Sequence, residues 1–284
     1  MGEERPVCLG VLALQGAFFD HIKSFKRLNL GTRLRLTLVK KPADLEEIDA
    51  LVIPGGESTA MRIIAGEEMM SALQAFVHEK KKPVWGTCAG CILLSNTVCT
   101  LETSSSPSAS EIRETPSDDG YGDFIGGAAV RTCRNFFGRQ VDSFEAPLRA
   151  VGRLKLAADG MHAICIRAPA IVDVSPEVEV LAYIDLPGRH TSVIAAAAHG
   201  PLLLTIFHPE LTNDTRLHAF FLDNFVFPAL GRASSAKATK REVEASGARN
   251  SEPSVSFPSG ERRVSERAQA AQDAKSPQLG IRSS

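Results

Sequence analysis

The stretch Pro83-Val-Trp-Gly-Thr-Cys-Ala-Gly90 constrains the fold of this chain more than any other. Residues 83–85 read as the end of a short buried strand, and residues 89–94 as the start of a helix. A strand that becomes a helix across Gly-x-Cys-x-Gly must turn sharply, and small neighbours leave room for the strained backbone. The turn lifts one side chain, Cys88, above the end of a sheet. The helix N-terminus sets positive dipole and free N–H groups beside it, a setting suited to a nucleophilic sulfur. The N–H of Ala89 would point to where an oxyanion forms. The alternative is a small structural cysteine buried on a glycine-rich turn.

A second stretch favours the nucleophile. Residues 203–207 are an apolar strand that ends in His208-Pro209-Glu210. A nucleophilic thiol needs a base to take and return a proton, and the base needs a carboxylate to orient it. Proline pushes the residue before it toward extended geometry, which would place His208 and Glu210 on one side of a continuing strand. Taken singly, His208 could bond a loop carbonyl and Glu210 could cap a following helix. A third stretch, Leu51-Val-Ile-Pro-Gly-Gly-Glu-Ser-Thr59, runs from a strand through two glycines into a helix start. Its backbone N–H groups at Gly55 and Gly56 could face a carboxylate or an oxyanion. It could equally be an ordinary joint with Ser58 as N-cap. No Gly-Lys-Ser/Thr follows, so a phosphate loop is a poor reading.

The order of elements predicts an α/β fold. Residues 7–15 form a near-continuous apolar strand, as in a sheet covered on both faces. Residues 17–28 are amphipathic, with Phe18, Ile22, Phe25 and Leu28 at helical spacing. Strands at 34–39 and 50–53 and a helix at 67–81 continue the alternation. It indicates a doubly wound, mostly parallel sheet with helices on both faces. Strands at 177–184, 192–197 and 201–207 read as an antiparallel extension leading to His208. Cys88 and the glycine loop both follow strand C-termini, where such sheets bind ligands.

The quoted segments, with Gly10-Val-Leu-Ala-Leu-Gln-Gly16, Arg134-Asn-Phe-Phe-Gly-Arg-Gln-Val-Asp-Ser-Phe-Glu145, Ile166-Arg-Ala-Pro169 and Phe207-His-Pro-Glu-Leu-Thr212, resemble class I (triad-type) glutamine amidotransferases. Within them the chain is similar to the glutaminase subunits of pyridoxal 5′-phosphate synthase, the ribose 5-phosphate-dependent route to vitamin B6. The resemblance runs from about residue 7 to about residue 228. It implies a Cys88–His208–Glu210 triad that hydrolyses L-glutamine, and an oxyanion hole from Ala89 with Gly55 or Gly56. It also implies that Gly55, Gly56, Glu57, Ser58, Arg134, Ile166 and Arg167 hold the substrate. An arginine suits an α-carboxylate through paired hydrogen bonds, though either arginine could instead be a structural ion pair. Gln15 would lie near the active site at the partner interface; alternatively its amide satisfies loop backbone. The implied partner is a synthase subunit that takes ribose 5-phosphate and glyceraldehyde 3-phosphate, in a hetero-oligomeric complex. No cofactor or metal is implied for this chain.

Three other readings bear on function. A glutaminase serving another synthase, such as that of histidine biosynthesis, shares the general motifs. Cys88 and Cys91 form a Cys-x-x-Cys, which raises a redox role; Cys91 also suits an apolar core position, where relatives mostly carry an aliphatic residue. A catalytically silent regulatory subunit is argued against by the complete Cys, His and Glu set.

The remaining features set bounds. A net charge of −1 over 284 residues gives no global reason to expect nucleic acid or an anionic membrane. No apolar run reaches the length of a membrane span, and no N-terminal run resembles a signal peptide. Six scattered cysteines then suit reduced thiols in the cytoplasm. Residues 1–230 are expected to form the amidotransferase domain. Residues 231–284, with ten Lys and Arg against six Asp and Glu, read as a disordered tail. Residues 100–123 are polar and serine-rich and read as an expanded irregular loop.

Overall fold

Six consecutive buried residues open the sheet: every side chain of β1 (Val7–Leu12) lies in the core, as a central strand covered on both faces requires. The structure, a computed structural model, describes residues 5–103, 110–114, 124–137, 143–185 and 192–232, with backbone alone at 101–103 and 110–114. From β1 the chain runs through α1 (Phe18–Arg27), β2 (Leu34–Val39), β3 (Ala50–Ile53), α2 (Ser58–His78), β4 (Val84–Thr87) and α3 (Ala89–Leu94). It continues through β5 (Ser95–Thr103), β6 (Ser110–Glu114), β7 (Ala128–Arg134), β8 (Phe144–Ala150) and β9 (His162–Cys165). Then follow β10 (Ala170–Val174), β11 (Glu179–Asp185), β12 (Ser192–His199) and β13 (Leu202–Thr205). Last come α4 (Arg216–Phe221) and, beyond a π turn at Leu222–Val226, α5 (Phe227–Ala229).

The strand path is β2-β1-β3-β4-β13-β12-β10-β7-β5-β6, with β11 on β12 and β8 between β11 and β9. The first five strands of this path pair in parallel, so Leu12, Ile53, Thr87 and Thr205 all end at one edge. The crossover through α1 moves one way along the sheet and that through α2 moves the other way. With right-handed crossovers, the two helices cover opposite faces. α1 packs with α4, and α2 with α3. This is the doubly wound α/β fold read from the sequence.

The strands β11, β12 and β13 pair antiparallel in turn, as read. What the sequence did not indicate is that β13 also pairs parallel with β4, so it joins that extension to the parallel block. The consequence is functional, because the chain leaving β13 emerges at the same edge as the chain leaving β4. Direction could not be read from an apolar run alone, since a buried strand looks the same either way.

Two expectations are corrected. The helix read at 67–81 is the second part of α2, which ends at His78; a first part starts at Ser58 and is separated from it by a break at Gly66 (φ 62°, ψ 179°) that only a glycine adopts without strain. The N-cap of α2 is Glu57, not Ser58: the Glu57 carboxylate accepts from Thr59 N at 3.1 Å and Ala60 N at 2.7 Å. The stretch 100–123 is also less irregular than its composition implies. The backbone of β5 runs to Thr103 and pairs antiparallel with β6. Residues 104–109, 115–123 and the expected tail from 233 onward lie outside the described residues.

Candidate active site

The geometry of the elbow follows from its small residues. Cys88 has φ 48° and ψ −101° at the N-cap of α3. Such a backbone costs a non-glycine residue about 1–3 kcal/mol and persists only where the surroundings hold it. Cys88 N–H donates to Thr205 O at 2.8 Å, and Ile92 N–H donates to Cys88 O at 3.2 Å. A Cβ on Gly86 would stand 2.5 Å from the Gly90 carbonyl, and one on Gly90 would overlap Ile53 O. The Gly-x-Cys-x-Gly spacing therefore records two close backbone approaches around one sulfur.

β13 brings the base. Because β13 lies beside β4, the residues after Thr205 arrive next to the elbow. His208 N–H donates to Ile164 O at 2.8 Å, which ties the loop to β9. The backbone does not continue extended as the sequence suggested. Pro209–Leu211 is a 3-10 turn, since proline's fixed φ suits the first position of a helical turn. His208 itself keeps extended-type angles (φ −110°, ψ 83°). The turn still delivers Glu210, whose Oε1 lies 2.7 Å from His208 Nδ1. His208 bonds Glu210 on one side and feels the Cys88 sulfur on the other.

Burial works against charge on His208. The Cys88 sulfur and the Glu210 carboxylate outweigh it and raise the imidazole to about 10. Burial likewise works to raise Glu210, but the rings of His21 and His208 outweigh it and hold the carboxyl below its ordinary value. The pair is thus poised as imidazolium and carboxylate.

The glycine loop closes the other side. A Cβ on Gly55 would overlap His208 Cε1 and come within 3.2 Å of Cys88 Cβ, so Gly55 faces both groups. Its carbonyl accepts from Ala17 N–H at 2.9 Å. Gln15 Oε1 accepts from Glu57 N–H at 2.8 Å, so this amide does satisfy loop backbone. Ser58 is buried. Arg134, at the end of β7, reaches Thr59 Oγ1 at 3.0 Å and Glu57 Oε1 at 3.5 Å. Ile166 is partly exposed, and its carbonyl lies 4.0 Å from Cys88 Sγ. Arg167 follows with φ 45° and is exposed. Of the residues singled out in the sequence, Cys88, His208, Glu210 and Gly55 therefore converge, with Ile166 at their rim. Glu57 and Arg134 meet at the start of α2.

Cys91 takes no part in this cluster's surface. It is fully buried, faces Thr132 Oγ1 at 4.0 Å, and its thiol is pushed up to about 12 by burial. No disulfide joins it or the other five cysteines. Among the described residues, no group of three His, Cys, Asp or Glu is placed to hold a metal.

One residue escaped the sequence reading. His21 on α1 is fully buried, and its Nε2 lies 3.4 Å from Glu210 Oε2. The signal was present: His21 sits four residues before Phe25 on the apolar face of α1, and a polar side chain in a core position calls for a partner.

Fold and site together define an α/β protein with a cysteine, histidine and carboxylate constellation at the carboxyl edge of its sheet. The chain belongs to the SNO glutamine amidotransferase family, whose sequence model matches residues 11–106 and 124–227. The match is interrupted at 107–123, within the stretch read as an expanded loop. A Plasmodium falciparum protein named pyridoxal 5′-phosphate synthase subunit PDX2 is 39% identical over 221 residues, which cover 76% of this chain and 95% of that protein. An Arabidopsis thaliana protein named as a probable subunit PDX2 of the same synthase is 37% identical over 254 residues, covering 81% of this chain and 91% of its own. A solved structure described as a glutamine amidotransferase superposes with a TM-score of 0.59 at 34% identity, over 75% of this chain and 96% of that one.

Proposed function

We propose that this chain is the glutaminase subunit of a pyridoxal 5′-phosphate synthase. It hydrolyses L-glutamine to glutamate and ammonia and passes the ammonia to a synthase subunit that uses ribose 5-phosphate and glyceraldehyde 3-phosphate. The observation that carries the chemistry is the meeting of Cys88, His208 and Glu210 at one sheet edge, from stretches 120 positions apart. The names of the relatives support the pathway over a histidine-type synthase.

Cys88 Sγ attacks the side-chain amide carbon of glutamine. His208 gives its proton to the departing nitrogen, which leaves as ammonia, and a thioester remains. His208 then takes a proton from water, the hydroxide displaces the sulfur, and glutamate is released. Glu210 holds the ring so that Nε2 faces the sulfur and stabilises its charged form. The Ala89 N–H and an N–H of Gly55 or Gly56 receive the oxyanion. Arg134 and Arg167, with Glu57 and Ser58, hold the amino-acid end of the substrate.

Docking of the synthase is supported by exposed apolar side chains near this edge: Phe19 on α1, Ile63 and Ile64 on α2, and Leu211 beside Glu210. Gln15 lies between α1 and the glycine loop, and we place it at that interface. Among the described residues no helix is long and apolar enough to cross a membrane. Six cysteines without a disulfide suit a reducing compartment, and we place the protein in the cytoplasm. The test is reconstitution with a synthase subunit. Glutamine should replace ammonia as nitrogen source for pyridoxal 5′-phosphate; a complex that forms product only from added ammonia would refute the reading.

Two predictions follow from the geometry. His208→Asn should cost about 10⁴-fold in kcat, whereas Glu210→Gln should cost less, because it loses orientation before nucleophilicity. Steady-state glutamate release by the two variants measures the ranking. Gly55→Ala should keep the fold but displace the His208 ring. A shift of about 1 Å in a reacting group costs on the order of 100-fold. Unchanged kcat in Gly55→Ala would mean that the loop and ring separate freely.

A further inference from the structure

The catalytic carboxylate has two oxygens, and the reaction as written uses one. Glu210 Oε1 is engaged by His208. Oε2 is buried and has no hydrogen bond of good geometry. A buried charged oxygen left bare is costly, so the group facing it matters. That group is His21 Nε2, at 3.4 Å, with both side chains wholly out of solvent. The same nitrogen lies 3.2 Å from Thr87 Oγ1. On the far side of the ring, His21 Nδ1 lies 3.1 Å from His218 Nε2 on α4. Trp85 packs edge-on against both rings, at 5.4 Å from His21 and 5.0 Å from His218. His218 Nδ1 is buried without a partner.

These contacts select one tautomer for each ring. Burial lowers both His21 and His218, which favours the neutral ring with one N–H on each. If His21 kept its proton on Nδ1, it would donate to His218 Nε2, and His218 would bury an N–H at Nδ1 with nothing to receive it. The lone pair of His21 Nε2 would also face the Glu210 carboxylate. If instead the proton is on His21 Nε2, it is shared between Thr87 Oγ1 and Glu210 Oε2. His218 Nε2–H then donates to His21 Nδ1, and the unpartnered atom is a lone pair. Orphaned donors are rarer than under-used acceptors in folded proteins, and a carboxylate only accepts.

We propose that His21 is a positioning residue for the reaction: it donates its Nε2–H to the second oxygen of Glu210, in a tautomer fixed by His218. Resting on the glutaminase reading, this extends the line from Cys88 through His208 and Glu210 into the packing between α1 and α4. The role is to keep Glu210 charged and its plane fixed, so that the proton rests on His208 and not on Glu210 until the amide nitrogen departs.

The test combines kinetics with a readout independent of glutamine. In the full chain with its synthase, His21→Leu should lower kcat on the order of tenfold, the size expected for one hydrogen bond to a charged group, with KM within about twofold. It should also move the alkaline limb of the pH–kcat profile to higher pH. That limb records loss of the proton shared by His208 and Glu210, and a carboxylate deprived of a donor is more basic, so the pair holds that proton more tightly. Asp20 on α1, His218 on α4, Cys91 on α3 and Cys165 on β9 also surround the site, and all are unchanged in the variant. His21→Gln retains an N–H donor at the Nε2 position and should recover most of kcat and the wild-type limb. Two-bond ¹H–¹⁵N correlation of the histidine rings should find His21 and His218 protonated at Nε2 alone. A His21 proton on Nδ1 would overturn the proposal. So would equal losses in His21→Leu and His21→Gln with the limb unmoved, which is the pattern of a packing defect. Should His21→Leu fail to fold, the tautomers and the His21→Gln profile decide. A wild-type complex that releases no glutamate would fail the glutaminase reading, while the tautomers would still report the hydrogen bond.

Discussion

Cys88→Ala is expected to reduce glutamine hydrolysis by about 10⁴-fold or more and to leave the fold intact. The magnitude follows from the chemistry: without a nucleophile no thioester forms, and the remaining donors act only on direct attack by water. The fold should survive because the backbone strain at φ 48° is held by hydrogen bonds from the main chain, at Cys88 N and Cys88 O, which alanine retains. The lost sulfur leaves a small gap at the sheet edge rather than in the centre of the core. Cys88→Ser should be nearly as inactive, since a hydroxyl in place of the thiol is a far weaker nucleophile at neutral pH. Circular dichroism and thermal unfolding of the variant should match the parent chain, and glutamate release should fall to background. Hydrolysis at an undiminished rate would mean that another group carries the reaction.

The second large effect concerns the synthase. The isolated chain should be a weak glutaminase, and kcat should rise about 100-fold or more in the complex. The Gly55 carbonyl is held by Ala17 N–H at the cap of α1, and Gln15 holds Glu57 N–H beside it. The orientation of the Gly55–Gly56 peptide, and so the direction of the Gly56 N–H, is set by residues 15–17. Two glycines let that peptide rotate at little steric cost. A partner seated against α1 and Gln15 can therefore shift an oxyanion donor, and one such donor is worth about 2.7–4 kcal/mol in the transition state. Equal kcat for the free chain and the complex would mean that the hole is formed in advance and that the partner only receives ammonia.

Much of the site was legible in the sequence because its parts are local. Gly86, Cys88 and Gly90 specify a turn within one segment, and His208-Pro-Glu210 places base and carboxylate two residues apart. What joins them was not legible. Whether β13 runs parallel or antiparallel to its neighbours leaves no mark on an apolar run, yet that choice sets Thr205 beside Thr87. The route from His208 to Glu210 was also misread. Pro209 restrains the residue before it to extended geometry and itself begins a 3-10 turn, and the second effect decides the route. The resemblance implies Glu57 as a substrate contact, with a Ser58 cap as the alternative for the loop; in the structure the Glu57 carboxylate caps α2. His21 escaped notice because the periodicity of α1 was read for its apolar residues. The hydrogen-bonding partner of a buried histidine comes from elsewhere in the chain and has no local signature.

The account stands most directly on the identity of the reacting atom. A glutamine analogue with an electrophilic carbon in place of the amide, incubated with the chain and its synthase, should add one adduct per chain. Peptide mass mapping should place it on Cys88, glutamine should protect against it, and its formation should track the loss of glutaminase activity. Labelling at Cys91 or Cys165 instead, or full loss of activity with Cys88 unmodified, would contradict the account.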